Sequence, residues 1–306
     1  MPKAWTHMFF RRIREIWPLL PAAAYLLAFL GIVLSYLVGL SFSLTINGRS
    51  LFPTLQTARA VFALPAFHEA LGNTALFVVV GTPLELITGL FLALILYRNF
   101  IARDFVRSLF CIPLAVPALV TAILLFMLFD FPGGHINDFL LGKYGHFPAI
   151  LKAPLNWRGT KVLALGISLL GKVWRDTPIS MLILLAGLNT IDPELFDAAK
   201  TMGAGFRKRL WYLVLPLMIP SCATVVLLRS IEMWKEFIFP FVLAGKYSVL
   251  GTLIESLYND WGSSHEASAV ALALVVCIAG TSAVLLWVLD LVRKVLIKEV
   301  GHERFA

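Results

Sequence analysis

The chain has 306 residues, of which 59% are apolar and only 14% charged, with a mean hydropathy of +0.84. A soluble domain carries roughly 25% charged residues, so the composition excludes an ordinary water-soluble protein and fits about six to eight membrane spans. The formal charge of +8 sits at the ends of apolar runs, which points to membrane topology control and away from nucleic-acid binding.

Six spans can be read in chain order, over 18–43, 71–97, 106–129, 162–189, 211–244 and 267–292. The first follows Arg11, Arg12 and Arg14, as a secretory signal would. Its apolar run is too long for a signal, and no small-residue cleavage site closes it, so a retained span is expected. Glu85 interrupts the second span. Between the third and fourth, Pro132, Gly133, Gly134, Pro148 and Pro154 predict a turn-rich cap with one short helix near Ile136–Leu141. If the N-terminus lies inside, the inner segments carry fifteen lysines and arginines and the outer segments seven. The positive-inside rule then puts both termini and the 190–210 loop in the cytoplasm.

Cys111, Cys222 and Cys277 are scattered singly in or beside apolar runs and read as small buried hydrophobes. The six histidines show no metal-ligand spacing, and no catalytic triad or carboxylate pair stands out. Gly166–Lys172 fits most of a phosphate-binding loop, but Val173 stands where a Mg²⁺-binding hydroxyl belongs. It also lies within an apolar span with no preceding strand, so the match is read as coincidence.

Charges inside spans are costly and face a cavity or a partner. The fourth span holds Lys172, Arg175 and Asp176, followed by Pro178. The fifth holds Arg229, Glu232, Lys235 and Glu236, with Pro240 expected to kink or end the helix. Spacings of three place Arg229, Glu232 and Lys235 on one helical face. Two readings stand: a structural charge cluster, or a polar translocation path in which Trp174, Trp234 and Phe237 stack on a sugar ring beside Arg175. The four basic and four acidic span residues balance, so an anionic solute is not selected.

The most specific stretch is Asp197-Ala198-Ala199, three residues, Gly203, nine residues, and Leu213-Val214-Leu215-Pro216. Asp192 can cap a helix that Pro193 begins, Glu194 and Asp197 suit its positive end, and Gly203 or Gly205 would end it. Every interval resembles the EAA loop of the permease subunits of ATP-binding-cassette importers, with Asp197 for the family Glu and Leu213 for the family Ile. Asn73-Thr74, Pro83–Leu90, Arg107–Pro113, Trp174, Pro178, Leu185–Leu188 and the Gly134-x-x-Asn137-x-x-Leu140 segment look like the carbohydrate-uptake type, the maltose-transporter first-permease kind, across roughly 18–297.

The resemblance implies an all-α membrane protein with six transmembrane helices and the type I importer architecture. It would comprise a cytoplasmic segment 1–17, a transmembrane domain 18–297 with the coupling loop 190–216, and a cytoplasmic tail 298–306. It implies a non-enzymatic translocation subunit of a bacterial or archaeal cytoplasmic membrane, importing a sugar, polyol or glycerol-phosphate solute by alternating access. The implied partners are a second permease, two ATP-binding subunits that carry ATP and Mg²⁺, and an extracytoplasmic solute-binding protein; this chain itself would bind no cofactor. Asp197, Ala198, Ala199, Gly203, Leu213, Leu215 and Pro216 would couple to the ATPase, with Ala199 facing its groove. A stand-alone ion-coupled secondary transporter is the alternative. It is disfavoured because no repeated pair of broken helices is evident.

Overall fold

The computed structural model describes residues 17–46, 49–145 and 148–302, with backbone alone at 17, 45–46, 49–50 and from 292 onward. Lys3, Arg11, Arg12, Arg14 and Arg304 lie outside the described residues, as do the side chains of Arg293, Lys294 and Lys298. Three helices are long and apolar enough to cross a membrane, α1 (Leu20–Ser41), α3 (Pro65–Tyr97) and α13 (Ser264–His302). Three bent pairs raise the number of spans to as many as six: α4 (Arg103–Ala115) with α5 (Ala118–Leu128), α7 (Lys161–Leu188) with α8 (Pro193–Thr201), and α9 (Phe206–Leu217) with α10 (Ile219–Trp234).

Shorter pieces link the spans. Between α1 and α3 stand an antiparallel hairpin, β1 (Leu44–Ile46) with β2 (Arg49–Leu51), and helix α2 (Gln56–Ala63). Helix α6 (His135–Leu140) forms the one short helix expected in the cap, and α11 (Ile238–Leu243) and α12 (Leu250–Asn259) lead back to α13.

The centre of the bundle is the packing of α3 along α7, with α10 against both. Gly89 makes the first contact possible: a Cβ there would lie 2.8 Å from the Ser180 Cβ and 3.1 Å from the Met181 nitrogen. Membrane helices lack a hydrophobic drive to associate, so close approach at small residues and buried hydrogen bonds do the work. Asn73 supplies one such bond, donating to the Ser248 carbonyl at 2.7 Å, while the Thr74 hydroxyl accepts from the Leu250 N–H at 2.9 Å. Helix α1 touches the bundle chiefly through α13 and leaves almost its whole apolar surface exposed.

Two expected spans differ from the reading of the sequence. The run 106–129 is two helices crossing at 88° and not one rod. The residue before a proline is pushed out of the α region, and Val116, ahead of Pro117, is extended at φ −86° and ψ 130°. The run 211–244 is bent by 67° at Met218, between Pro216 and Pro220. Its second helix ends at Trp234, well before Pro240, which sits inside α11. The stop comes earlier because the Glu236 side chain turns inward and accepts the Phe239 N–H at 3.1 Å, serving the start of α11.

The cap at the far end of α7 is organised by buried Asn137. Its amide donates to the carbonyls of Asp130 and Leu155, and its oxygen accepts from the Leu155 N–H and the Trp157 indole, all at 3.0–3.2 Å. One side chain thus ties together a loop that has little regular structure of its own.

Candidate functional site

Helix α7 leads straight into the loop singled out by its spacing. After Leu188 the chain turns by 72° into α8. The Asp192 carboxylate accepts the Glu194 N–H at 2.9 Å, and Pro193 occupies the first turn, where its missing N–H costs nothing. Glu194 lies at the positive end of the helix dipole and Lys200 at the negative end. Asp197 pairs with Lys200 at 2.8 Å.

Gly203 closes the helix at φ +78°, a conformation that costs a side chain of L chirality roughly 1–2 kcal/mol. Its N–H and that of Ala204 donate back to the carbonyls of Lys200 and Ala199, each at 2.9 Å. Leu195, Ala198 and Met202 follow at helical spacing and are exposed together, Met202 to 86%. Ala199 flanks this face and is half-buried. Leu213, Leu215 and Pro216 belong to α9, on the return from the turn, where the backbone passes through a π-helical stretch at Leu210–Val214. They shape the exit of the hairpin and are not part of its exposed apolar face.

The second site is a charge network in the interior of the bundle. Lys172 on α7 reaches Asp176 at 2.6 Å and Glu236 at 3.0 Å, with Glu232 at 4.0 Å. Arg175 holds the other oxygen of Asp176 at 2.6 Å. Arg229 on α10, only 1% exposed, lies 3.1 Å from Glu232, 3.5 Å from Glu85 on α3 and 3.7 Å from Asp176. Three helices and the α10–α11 turn are therefore cross-linked by seven charged side chains. Gly166–Lys172, the stretch resembling a phosphate-binding loop, is regular helix whose lysine is engaged in this network.

The balance of the network differs from that expected. Lys235 points outward, is exposed and joins no ion pair among the described residues. The linked groups are thus three cations, Lys172, Arg175 and Arg229, and four acids, Glu85, Asp176, Glu232 and Glu236. Both Glu85 oxygens and two Arg229 nitrogens are enclosed without a hydrogen bond, so their attraction is electrostatic alone.

Burial grades across the network. Glu85, Asp176, Lys172, Arg229 and Glu236 are buried, whereas Arg175 and Glu232 are partly exposed and Trp174 beside them is 49% exposed. Of the three aromatics proposed to stack on a solute, Trp234 instead packs into the apolar core with Leu250, Leu253 and Leu257. Phe237, half-buried, stacks on Phe241 at 4.9 Å. Residue type does not tell these aromatics apart, and only burial separates the exposed Trp174 from the buried Trp234.

Comparisons agree with this geometry. Residues 85–298 match the family described as binding-protein-dependent transport system inner membrane component. The trehalose/maltose transport system permease protein MalF of Thermococcus litoralis is 29% identical over 266 residues, covering 84% of this chain and 88% of that protein. The sulfoquinovosyl glycerol transport system permease protein SmoG of Agrobacterium fabrum is 29% identical over 278 residues, with 87% and 88% covered. A chain in the crystal structure of a bacterial alginate ABC transporter, in complex with alginate pentasaccharide-bound periplasmic protein, superposes with a TM-score of 0.75 at 17% identity. That match covers 90% of this chain and 95% of that one, and shows a shared fold. The hairpin after α7, the bent spans and the family match lead to one conclusion: the chain belongs to the inner-membrane components of binding-protein-dependent transport systems, and is the permease subunit of an ATP-driven importer that works with a substrate-binding protein and other subunits.

Proposed function

We propose that this permease imports a neutral sugar or glycoside across a bacterial or archaeal cytoplasmic membrane. It would pair with a second permease and two ATPase subunits that hold ATP and Mg²⁺, with both of its ends in the cytoplasm. The sugar class rests on both permeases it resembles, named for trehalose/maltose and for sulfoquinovosyl glycerol, and the choice of a neutral solute rests on the first, since sulfoquinovosyl glycerol carries a sulfonate. No surplus of cations in the interior network argues for an anion instead.

The observation that carries the coupling role is the exposed face of α8. Leu195, Ala198 and Met202 offer an apolar patch at the tip of a capped hairpin, continuous in sequence with α7. Docked in the ATPase, that patch would transmit closure of the nucleotide-bound dimer to α7, and through the charge network to α3 and α10. ATP can shift the two states only through contacts that differ between them, and these are the contacts proposed to differ. The partly exposed edge of the network, Trp174, Arg175 and Glu232, would face the translocation path, and its buried part would hold the helices in register. Co-purification with an ATPase, together with calorimetry of the partner binding protein against trehalose, maltose and a glycerol-phosphate diester, tests the proposal. Binding of the diester alone would overturn the solute class.

A further inference from the structure

A cleft of about 800 Å³ opens on the side of α8 away from its apolar tip. Its walls are Phe91, Leu94 and Ile95 from the end of α3, Phe196 from α8, and Phe206 and Leu210 from α9. Its mouth carries Arg98, Lys200 and Arg209, with Asp197 as the one acid lining it. Lys200 is engaged by Asp197 at 2.8 Å, whereas neither Arg98 nor Arg209 has a carboxylate partner among the described residues. The Arg209 Nε is enclosed and makes no hydrogen bond. An apolar cleft therefore ends in two unneutralised guanidinium groups, one holding a donor that lacks an acceptor.

We propose that this cleft binds an anionic phospholipid, its acyl chains against Phe91, Leu94, Ile95 and Phe206 and its phosphate between Arg98 and Arg209. Position and charge both select this occupant. Arg98 follows directly on the last residue of the spanning helix α3, so the mouth stands at the membrane boundary, where basic pockets between helices take anionic headgroups. A guanidinium pairs with a phosphate in two parallel hydrogen bonds, and Arg98, exposed at the mouth, can present both.

The ATPase is proposed to meet the apolar tip and not the cleft, which leaves Asp197, expected to couple to the ATPase, on the cleft side of α8. At 3.6 residues per turn, Leu195, Ala198 and Met202 lie on the face of α8 opposite Phe196 and Lys200. One helix would thus be held between a protein partner on one face and a lipid on the other.

The test uses the transporter purified with its partner chains. Native mass spectrometry would follow phosphatidylglycerol, with phosphatidylcholine and free glycerol phosphate as comparisons. Arg98→Gln and Arg209→Gln are each expected to lower phosphatidylglycerol occupancy roughly five-fold, because one basic group near a membrane surface contributes about that factor. Lys161→Gln, at the opposite end of α7, should leave it unchanged, and Arg209→Lys should restore part of it. A phosphatidylglycerol with a photoreactive acyl chain should label Phe91 or Phe206 in the unsubstituted protein, a measurement that needs no variant to fold. Equal occupancy in all variants, competition by glycerol phosphate as strong as by the lipid, or cross-linking from position 91 to a partner protein would each overturn the proposal.

Discussion

Glu236 serves two neighbours at once: one carboxylate oxygen lies 3.0 Å from the Lys172 ammonium, and the other accepts the Phe239 N–H at 3.1 Å. The start of α11 and one of the two close ion pairs of Lys172 therefore depend on the same side chain. Glu236→Gln keeps a hydrogen-bonding oxygen at this position but removes the charge, and Glu236→Ala removes both. Gln removes one of the two close carboxylates of Lys172 while Asp176 stays at 2.6 Å, so its cost should fall below the roughly 3–5 kcal/mol of an unpaired buried charge, and Ala adds a lost cap of about 1 kcal/mol. The expected order of thermal stability in detergent is therefore Glu236, then Gln, then Ala. Equal stability of the three would mean that the turn holds itself.

Arg229 and Glu232 should separate in their effects. Arg229→Gln leaves Glu85 and Asp176 facing each other in the interior, and loss of assembly is expected, on the order of 3–5 kcal/mol. Glu85→Gln added to Arg229→Gln should recover part of it. Glu232, partly exposed, should tolerate Gln in assembly and instead change uptake rate or solute preference. Poor assembly of Glu232→Gln, or normal assembly of Arg229→Gln, would reverse the division between buried core and path edge.

The tip of α8 is expected to govern coupling. Met202→Asp and Leu195→Asp place charge on the exposed apolar patch. Each should leave the subunit in the membrane while lowering ATPase stimulation by an order of magnitude, about 1.4 kcal/mol. Gly203→Ala should act more weakly, through the roughly 1–2 kcal/mol cost of positive φ. Ala199→Trp tests the flank of the patch. Unchanged uptake and ATP turnover in all four variants would remove the hairpin from the coupling role.

Topology can be read by thiol labelling once Cys111, Cys222 and Cys277 have been replaced. Ala153→Cys and Asp260→Cys should react with an impermeant reagent in intact cells, and Gly205→Cys only after permeabilisation. All three positions are exposed, so access would reflect the side of the membrane. Labelling at 205 in intact cells would invert the orientation and remove contact with a cytoplasmic ATPase.

Asn137 gives a prediction at the other end of α7. Its removal as Asn137→Ala breaks four hydrogen bonds of a buried side chain, each worth about 1 kcal/mol. The cap between α5 and α7 should become sensitive to protease at lower temperature than in the unsubstituted protein. An unchanged cleavage profile would show that the apolar contacts of Trp157 and Phe129 suffice.

The capped turn of helix after α7 was legible in the sequence because its determinants are local. Asp192, Pro193 and Gly203 act within a few residues of themselves, and spacing records that. The charge network was only half legible. Spacing correctly paired Arg229 with Glu232 but wrongly added Lys235, because the helix ends at Trp234 and the periodicity stops with it. Its links between Glu85 and Arg229, or Lys172 and Glu236, join residues far apart in the chain, and composition says nothing about them. Bent spans escaped for a related reason. Apolar runs report the surroundings of a segment and not its direction, although Pro117, Pro216 and Pro220 marked where each turn occurs.

Helix α7 runs unbroken for 28 residues, about 42 Å, from the Asn137-centred cap to the turn before α8. Glu236 and Arg229 hold it near mid-length through Lys172 and Asp176, leaving arms of about 17 and 18 Å on either side. A rod pinned near its centre moves its two ends in opposite directions. A push on α8 that draws one end inward would swing the other end outward, less any flexing at Pro178 within the helix, so one element would open one mouth of a pathway while shutting the other.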